Sequence, residues 1–296
     1  MEQGLSNYLQ ERAAMVEQTL QELLPAAEVV PGILHEAMRY STFAGGKRLR
    51  PILCLAGAEL VGGRPEIVRE AACALEMIHT YSLIHDDLPC MDDDDLRRGR
   101  PTNHRVFGEA VAVLAGDALL TLAFQILATY PAQVPAERRC RVVQFVGEAS
   151  GSLGMVGGQV LDLEGEGQRL SRAEMQQMHA SKTGRLLRAA LCSGGILAGA
   201  SPREIKAMDD YAAAFGLAFQ ITDDILDVTG NVEKLGKAPG SDQRKEKATY
   251  PALFGLDASR RMAAEMVARA TAALQEFGAR AEILKQLAIF LLEREQ

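Results

Sequence analysis

The sequence has no tryptophan, and aromatic residues make up only 5% of it. β-Branched and aromatic runs bounded by turn residues are correspondingly scarce, which argues against a sandwich or barrel. The five cysteines, Cys54, Cys73, Cys90, Cys140 and Cys192, are odd in number and contain no CxxC pair. They form neither an even disulfide framework nor a paired thiolate metal site, so reduced thiols and a cytoplasmic protein are expected. A surplus of positive charge is missing too. With a net charge of −7, neither nucleic acid nor an anionic membrane is an expected partner. The opening MEQGLSNYLQER lacks a basic start followed by an apolar stretch, and apolar runs elsewhere break before bilayer length. The stretch 111–130 comes nearest, and Asp117 interrupts it. Stable membrane insertion is therefore not expected. Repeats, low-complexity tracts and Pro/Ser-rich linkers are absent as well, which favours a single domain over 1–296.

What is present favours helices. Hydrophobic residues are 48% and charged residues 24% of the chain, an ordinary globular balance. Good helix formers dominate the long segments. Apolar periodicity predicts helices over about 3–24, 31–43, 48–61, 65–88, 104–129, 137–154, 171–199, 202–229, 258–276 and 279–294. Ser171 with Glu174 reads as a capping box, and Ser201 with Glu204 repeats it with Pro202 at the first helical position. The expected fold class is all-α. Three loops interrupt it: Gly45-Gly46, the segment 89–103 and the long segment 230–250, whose basic residues suit a lid.

Two acidic motifs carry the chemistry. The first, DDLPCMD from Asp86 to Asp92, ends the apolar helical run ALEMIHTYSLIH. Paired carboxylates at the end of a buried helix need a cation or hydrogen-bond donors, and hard oxygen ligands suit Mg²⁺. A solvated acidic loop is the alternative. The second motif, FQITDDILD, spaces Gln220, Asp223 and Asp227 along one helical face with Asp224 beside it. Alone it reads equally as a wet polar stripe; two such faces in one apolar bundle suggest a shared metal cluster between helices.

Basic residues follow each acidic motif or precede it. Arg97 and Arg98 come directly after the first motif, and GGKRLRP offers Lys47, Arg48 and Arg50 at a predicted helix start. Such groups grip phosphate oxygens; ordinary surface charge is the competing reading. His79 lies two turns before Asp86 on the same face. Lys182-Thr183 lacks the glycine pattern of a nucleotide loop, so it is read as a pair facing a cavity. Lys237 and Lys247 fall in the lid-like segment.

The stretch ALEMIHTYSLIHDDLPCMDDDDLRRGRPTNH, with GGKRLRP before it and KTG, FQITDDILD, LGK and KATYPAL after it, resembles the bacterial farnesyl diphosphate synthases among the trans-prenyltransferases. The likeness runs from about Leu34 to Leu256. It implies an isoprenoid-synthase helical bundle around a deep central cavity, usually a homodimer, acting on isopentenyl diphosphate and allylic diphosphates. The resemblance assigns Mg²⁺ to Asp86, Asp92 and Asp223, with Asp87 and Asp227 in support. It assigns the allylic diphosphate to Arg97, Lys182, Lys237 and Lys247, and isopentenyl diphosphate to Lys47, Arg50, His79 and Arg98. Thr183 and Gln220 would line the reaction centre, where Lys182 also acts. Tyr81, with the small Ser82 beside it, would be the floor that ends chain growth at fifteen carbons. The alternatives are a geranylgeranyl diphosphate synthase, a class I terpene cyclase, which would not need the second basic cluster, and a noncatalytic helical partner.

Overall fold

Runs of good helix formers become helices almost throughout the computed structural model, which describes residues 3–167, 170–229 and 249–293. In chain order these are α1 (Gln3–Leu23), α2 (Gly32–Thr42), α3 (Leu49–Leu60), α4 (Pro65–Asp86), α5 (Asn103–Phe107), α6 (Glu109–Thr129) and α7 (Ala136–Ser150). They continue as α8 (Met155–Gly165), α9 (Arg172–His179), α10 (Arg185–Ala198), α11 (Pro202–Thr229), α12 (Tyr250–Phe254), α13 (Leu256–Ala273) and α14 (Glu282–Glu293). Helix α10 is buried nearly all round, from Leu186 to Leu197, as a central core helix must be. It packs on α3, α4, α7 and α11, and so ties together the two helices that end in acidic motifs.

Helix α6 shows why apolar length alone is ambiguous. By length and composition it is apolar enough to cross a membrane. Its buried residues nevertheless follow a three- and four-residue stripe, Ala112, Ala115, Leu119, Ala123 and Ile126, and the helix packs along α4. Its other side leaves Val113 and Leu114 exposed.

Several expected boundaries move. The predicted helix 104–129 breaks at Gly108, whose φ of 83° is outside the helical range, giving α5 and α6. Helix α7 stops at Ser150 and the unpredicted α8 follows it, because glycines at 151, 154, 157 and 158 blur the periodicity. The span 171–199 is interrupted by a π-turn at Ala180–Gly184. The segment 279–294 starts as a 3₁₀ turn, Gln275–Ala281, before α14. Within the expected loop 89–103, β1 (Leu96–Arg97) and β2 (Arg100–Pro101) pair antiparallel. Arg98 and Gly99 both have positive φ, the pattern of a type I′ hairpin turn. The lid-like segment ends in α12 at Tyr250, and the rest of it, 230–248, lies outside the described residues.

Candidate active site

The first acidic motif sits where α4 ends. Asp86 is the last helical residue and Asp87 its C-cap. Beyond them the chain curls back, and the Asp92 N–H donates to the Asp86 carbonyl at 2.8 Å. Burial pushes the Asp86 carboxyl up to about 6; Lys182 opposes that shift, and Asp92 reinforces it. Asp87 is buried, and Arg97 clasps it with Nε at 2.7 and 2.9 Å from the two carboxylate oxygens. Burial raises the Asp87 pKa while Arg97 opposes the rise. Arg97 reaches Asp87 because it lies on β1. The hairpin is itself pinned to α2, where the Tyr40 hydroxyl donates to the Pro101 carbonyl at 2.8 Å.

About a turn and a half deeper on α4, Tyr81 is buried with its ring edge-on to His85, centroids 5.7 Å apart. Burial, with Asp86 adding to it, lifts its phenol to about 12, so it stays neutral. Ser82 turns its hydroxyl onto the His79 carbonyl at 2.9 Å. His79 itself is held well below its ordinary pKa, first by burial and then by Arg50, Arg98, Arg97 and Arg48. A neutral imidazole therefore sits within a ring of guanidinium charge. Arg50 is lowered to about 10 by burial, with Arg98 adding to the shift. Its Nε is shielded from solvent without a hydrogen-bond partner, which suits a site that receives an anion. Arg98 donates to the Gly45 carbonyl, and Lys47 is exposed at the same lip.

Arg48 departs from its neighbours in GGKRLRP. It adopts a left-handed conformation, φ 47°, and turns inward to Glu17 at 2.7 Å, Glu76 at 2.9 Å and the Thr42 carbonyl at 2.6 Å. Two carboxylates satisfy it, so it braces α1 and α4 instead of joining a phosphate cluster.

The π-turn presents the next group. Lys182 Nζ lies 2.6 Å from Asp162 Oδ2 on α8, and Lys182 also lowers the Asp86 pKa. Thr183 Oγ1 donates to Gln220 Oε1 at 3.4 Å, and Gln220 Nε2 donates to Asp224 Oδ1 at 2.8 Å. The Tyr250 N–H donates to the other Asp224 oxygen at 3.0 Å. Asp224 is thus a buried tie between α11 and α12, while Asp223 is half-buried and Asp227 buried on α11. The turn bridges the two acidic motifs, and such π insertions are common at functional sites. Lys237 and Lys247 lie outside the described residues.

Asp162 escaped the sequence reading. Its signal was available: an acid flanked by Leu161 and Leu163 a turn after Gly157-Gly158. A Cβ at Gly158 would stand 2.2 Å from the Lys182 backbone nitrogen, so only glycine lets α8 approach the turn. Among the described residues, no group of three or more His, Cys, Asp or Glu side chains forms a ready metal cage. The donor set nonetheless fits Mg²⁺, which binds through one or two carboxylates and completes its shell with water and substrate phosphate.

A polyprenyl synthetase family model matches residues 31–287. The chain belongs to that family. The match extends beyond the Leu34–Leu256 likeness, into α14. A farnesyl diphosphate synthase of Geobacillus stearothermophilus is 49% identical over 254 residues, 86% of this chain and 85% of that protein. A geranylgeranyl diphosphate synthase of Cyanophora paradoxa is 47% identical over 292 residues, 98% of this chain and 97% of that one. The solved FPP/GFPP synthase of Zymomonas mobilis superposes with a TM-score of 0.87 at 38% identity, covering 98% of this chain and 99% of the other. This polyprenyl synthetase therefore has the all-α isoprenoid-synthase fold and is a trans-prenyltransferase of isoprenoid diphosphates.

Proposed function

We propose that this chain is a magnesium-dependent farnesyl diphosphate synthase, condensing isopentenyl diphosphate with dimethylallyl and then geranyl diphosphate to give (2E,6E)-farnesyl diphosphate. The observation that carries the reading is buried Tyr81 on α4, about a turn and a half below Asp86 and braced by His85. A chain growing down from the aspartates meets that ring.

In this reading Asp86, Asp92 and Asp223 hold Mg²⁺, which when bound supplies positive charge to stabilise the leaving diphosphate. Arg97 and Lys182 hold the allylic diphosphate, with Lys237 and Lys247 joining them. Asp87 keeps Arg97 oriented, and Asp162 does so for Lys182. Lys47, Arg50 and Arg98 bind isopentenyl diphosphate beside a neutral His79, whose ring donates a hydrogen bond without needing a counter-charge. Fixed cations stabilise charge on the departing group, and the apolar helix faces keep water from the allylic cation. The isopentenyl double bond attacks that cation, and the tertiary cation so formed gives a proton to the departed diphosphate. Thr183 and Gln220 orient the reacting centre. The chain acts in the cytoplasm as one domain and a homodimer; the exposed Val113, Leu114, Leu153, Val156 and Val160 support an apolar contact between copies.

A geranylgeranyl product is the second reading, favoured by the Cyanophora paradoxa relative. Labelled isopentenyl diphosphate with dimethylallyl, geranyl or farnesyl diphosphate, with and without EDTA, tests both. Fifteen-carbon product that disappears with EDTA is expected, whereas twenty carbons from the unmodified enzyme would replace the first reading by the second. Tyr81→Ala should lengthen the product, and unchanged length in a folded, active variant would remove Tyr81 as the floor.

A further inference from the structure

A cavity of about 380 Å³ is lined by residues of α9, the π-turn, α10, α11 and α13. Ala180 and Gly184 of the turn line it, whereas Lys182 and Thr183 do not. Its volume falls within the range of small-molecule sites, and none of its lining residues has a part in the reaction described above. Leu217, Ile221, Met262 and Met266 give it an apolar lining, and methionine adapts readily to an irregular hydrocarbon chain.

Its polar side is cationic, on a chain whose net charge is −7. Three arginines, Arg172, Arg188 and Arg269, line it against one acid, Glu265. Arg188 is already neutralised by Asp209, at 2.7 and 2.6 Å. Among the described residues the other two form no ion pair. Arg172 lies over the Phe254 ring at 5.6 Å, and Arg269 Nη1 is 3.8 Å from the Met266 sulfur. His179 at the end of α9 also lines the cavity, and its Nε2 is buried without a hydrogen-bond partner. Guanidinium groups outside any ion pair, above an apolar lining, suit a phosphate head on a hydrocarbon tail.

The cavity wall is also the support of the reaction centre. Gly216 of α11 meets Gly184 of the turn so closely that a Cβ there would lie 3.3 Å from the Gly184 Cα. His179 precedes the turn directly and stacks on Tyr250, centroids 5.8 Å apart, the residue whose N–H holds Asp224. The seam is therefore in direct contact with the segment that carries Lys182 and Thr183.

We propose that this cavity is an inhibitory site for an apolar chain bearing a phosphate, separate from both diphosphate sites, and that its occupant acts by shifting the π-turn. The inhibition rests on Lys182 and Thr183 serving the reaction; the binding does not. The test uses the full chain with Mg²⁺, its reaction site filled by isopentenyl diphosphate and the unreactive thio analogue of geranyl diphosphate. Farnesyl phosphate, titrated calorimetrically, should fill one further site per chain. Its affinity should fall at least tenfold in the Arg172→Glu/Arg269→Glu variant and in Met262→Trp. Lysophosphatidic acid as a second probe separates an isoprenoid from a membrane-lipid source, and saturable binding of either supports the proposal. In steady state, farnesyl phosphate should lower the maximal rate at least threefold, and excess allylic substrate should not restore it. The double arginine variant should keep its basal rate and lose that response. Absence of a further site, equal binding of uncharged farnesol, unchanged affinity in both variants, or inhibition that allylic substrate fully relieves would overturn it. Because the calorimetry needs no turnover, its outcome stays separate from any failure of the synthase reading.

Discussion

The acidic end of α4 and the acidic stretch of α11 look alike in sequence, yet among the described residues Asp87 and Asp224 meet different kinds of donor. At α4 the motif is followed by its own counter-charge: the hairpin returns Arg97 onto Asp87 within ten residues. At α11, the contacts of Asp224 among the described residues come from neutral donors, the Gln220 amide and the Tyr250 backbone N–H. One aspartate in each motif is thus committed to architecture, which separates it from the aspartates assigned to metal. A sequence motif counts carboxylates; their partners divide the roles.

The largest effect should come from the metal aspartates. Asp86→Ala and Asp223→Ala should each reduce kcat roughly a hundredfold or more, as loss of transition-state charge stabilisation does. Near-normal turnover of either at saturating magnesium would end the symmetry between the motifs. Asp162→Asn should act next, raising the KM for allylic substrate roughly tenfold through a loosened Lys182, the scale of one charge-assisted hydrogen bond. If the KM for isopentenyl diphosphate rises equally, Lys182 does not belong to the allylic site.

The two structural aspartates sharpen the contrast through stability. Asp87→Ala should cost about 2 kcal/mol by leaving the half-buried Arg97 with only the more distant Asp94, at 4.0 Å, and adding Arg97→Met should recover part of it. Asp224→Ala should cost about 2 kcal/mol through its orphaned N–H, without rescue by Arg97→Met. Thermal denaturation without magnesium reads both, and rescue of both would mean that the two motifs are neutralised in the same way.

The smallest effect concerns pH. The folded Asp86 pKa, about 6, is raised above its ordinary 3.8. Its contribution to metal-free stability is therefore fully present below about 4 and is lost as pH rises through about 6. Magnesium binding must displace the same proton, so it should weaken as pH falls below about 6. The magnesium-induced rise in Tm should be smaller at pH 5 than at pH 7.5, and Asp86→Asn should flatten that difference. An unchanged pH dependence in this variant would assign the proton elsewhere.

Much of this was legible in the chain. The stripe on α6 and the apolar run before Asp86 follow from three- and four-residue periodicity, a local property of the backbone. Motif chemistry singled out the aspartates, Arg97, Arg98 and the Lys182-Thr183 pair, the resemblance assigned their roles, and the fold brings Lys182 electrostatically against Asp86. Glycines hid the rest. Those at 151–158 obscured α8 and with it Asp162, and Gly108 broke a helix that apolar spacing alone would continue.

By itself, then, the sequence determined the helical class, the order of the acidic motifs and the helix on which Tyr81 stands below Asp86. Only the tertiary structure decided that Arg48 turns inward while Arg50 keeps an unpartnered donor, that Asp162 holds Lys182, and that Asp224 belongs to the scaffold. Periodicity tells which face of a helix a side chain occupies. Its charge partner twenty or more residues away depends on how closely two helices pack, and at α8 that approach is limited by the space a missing Cβ leaves at Gly158.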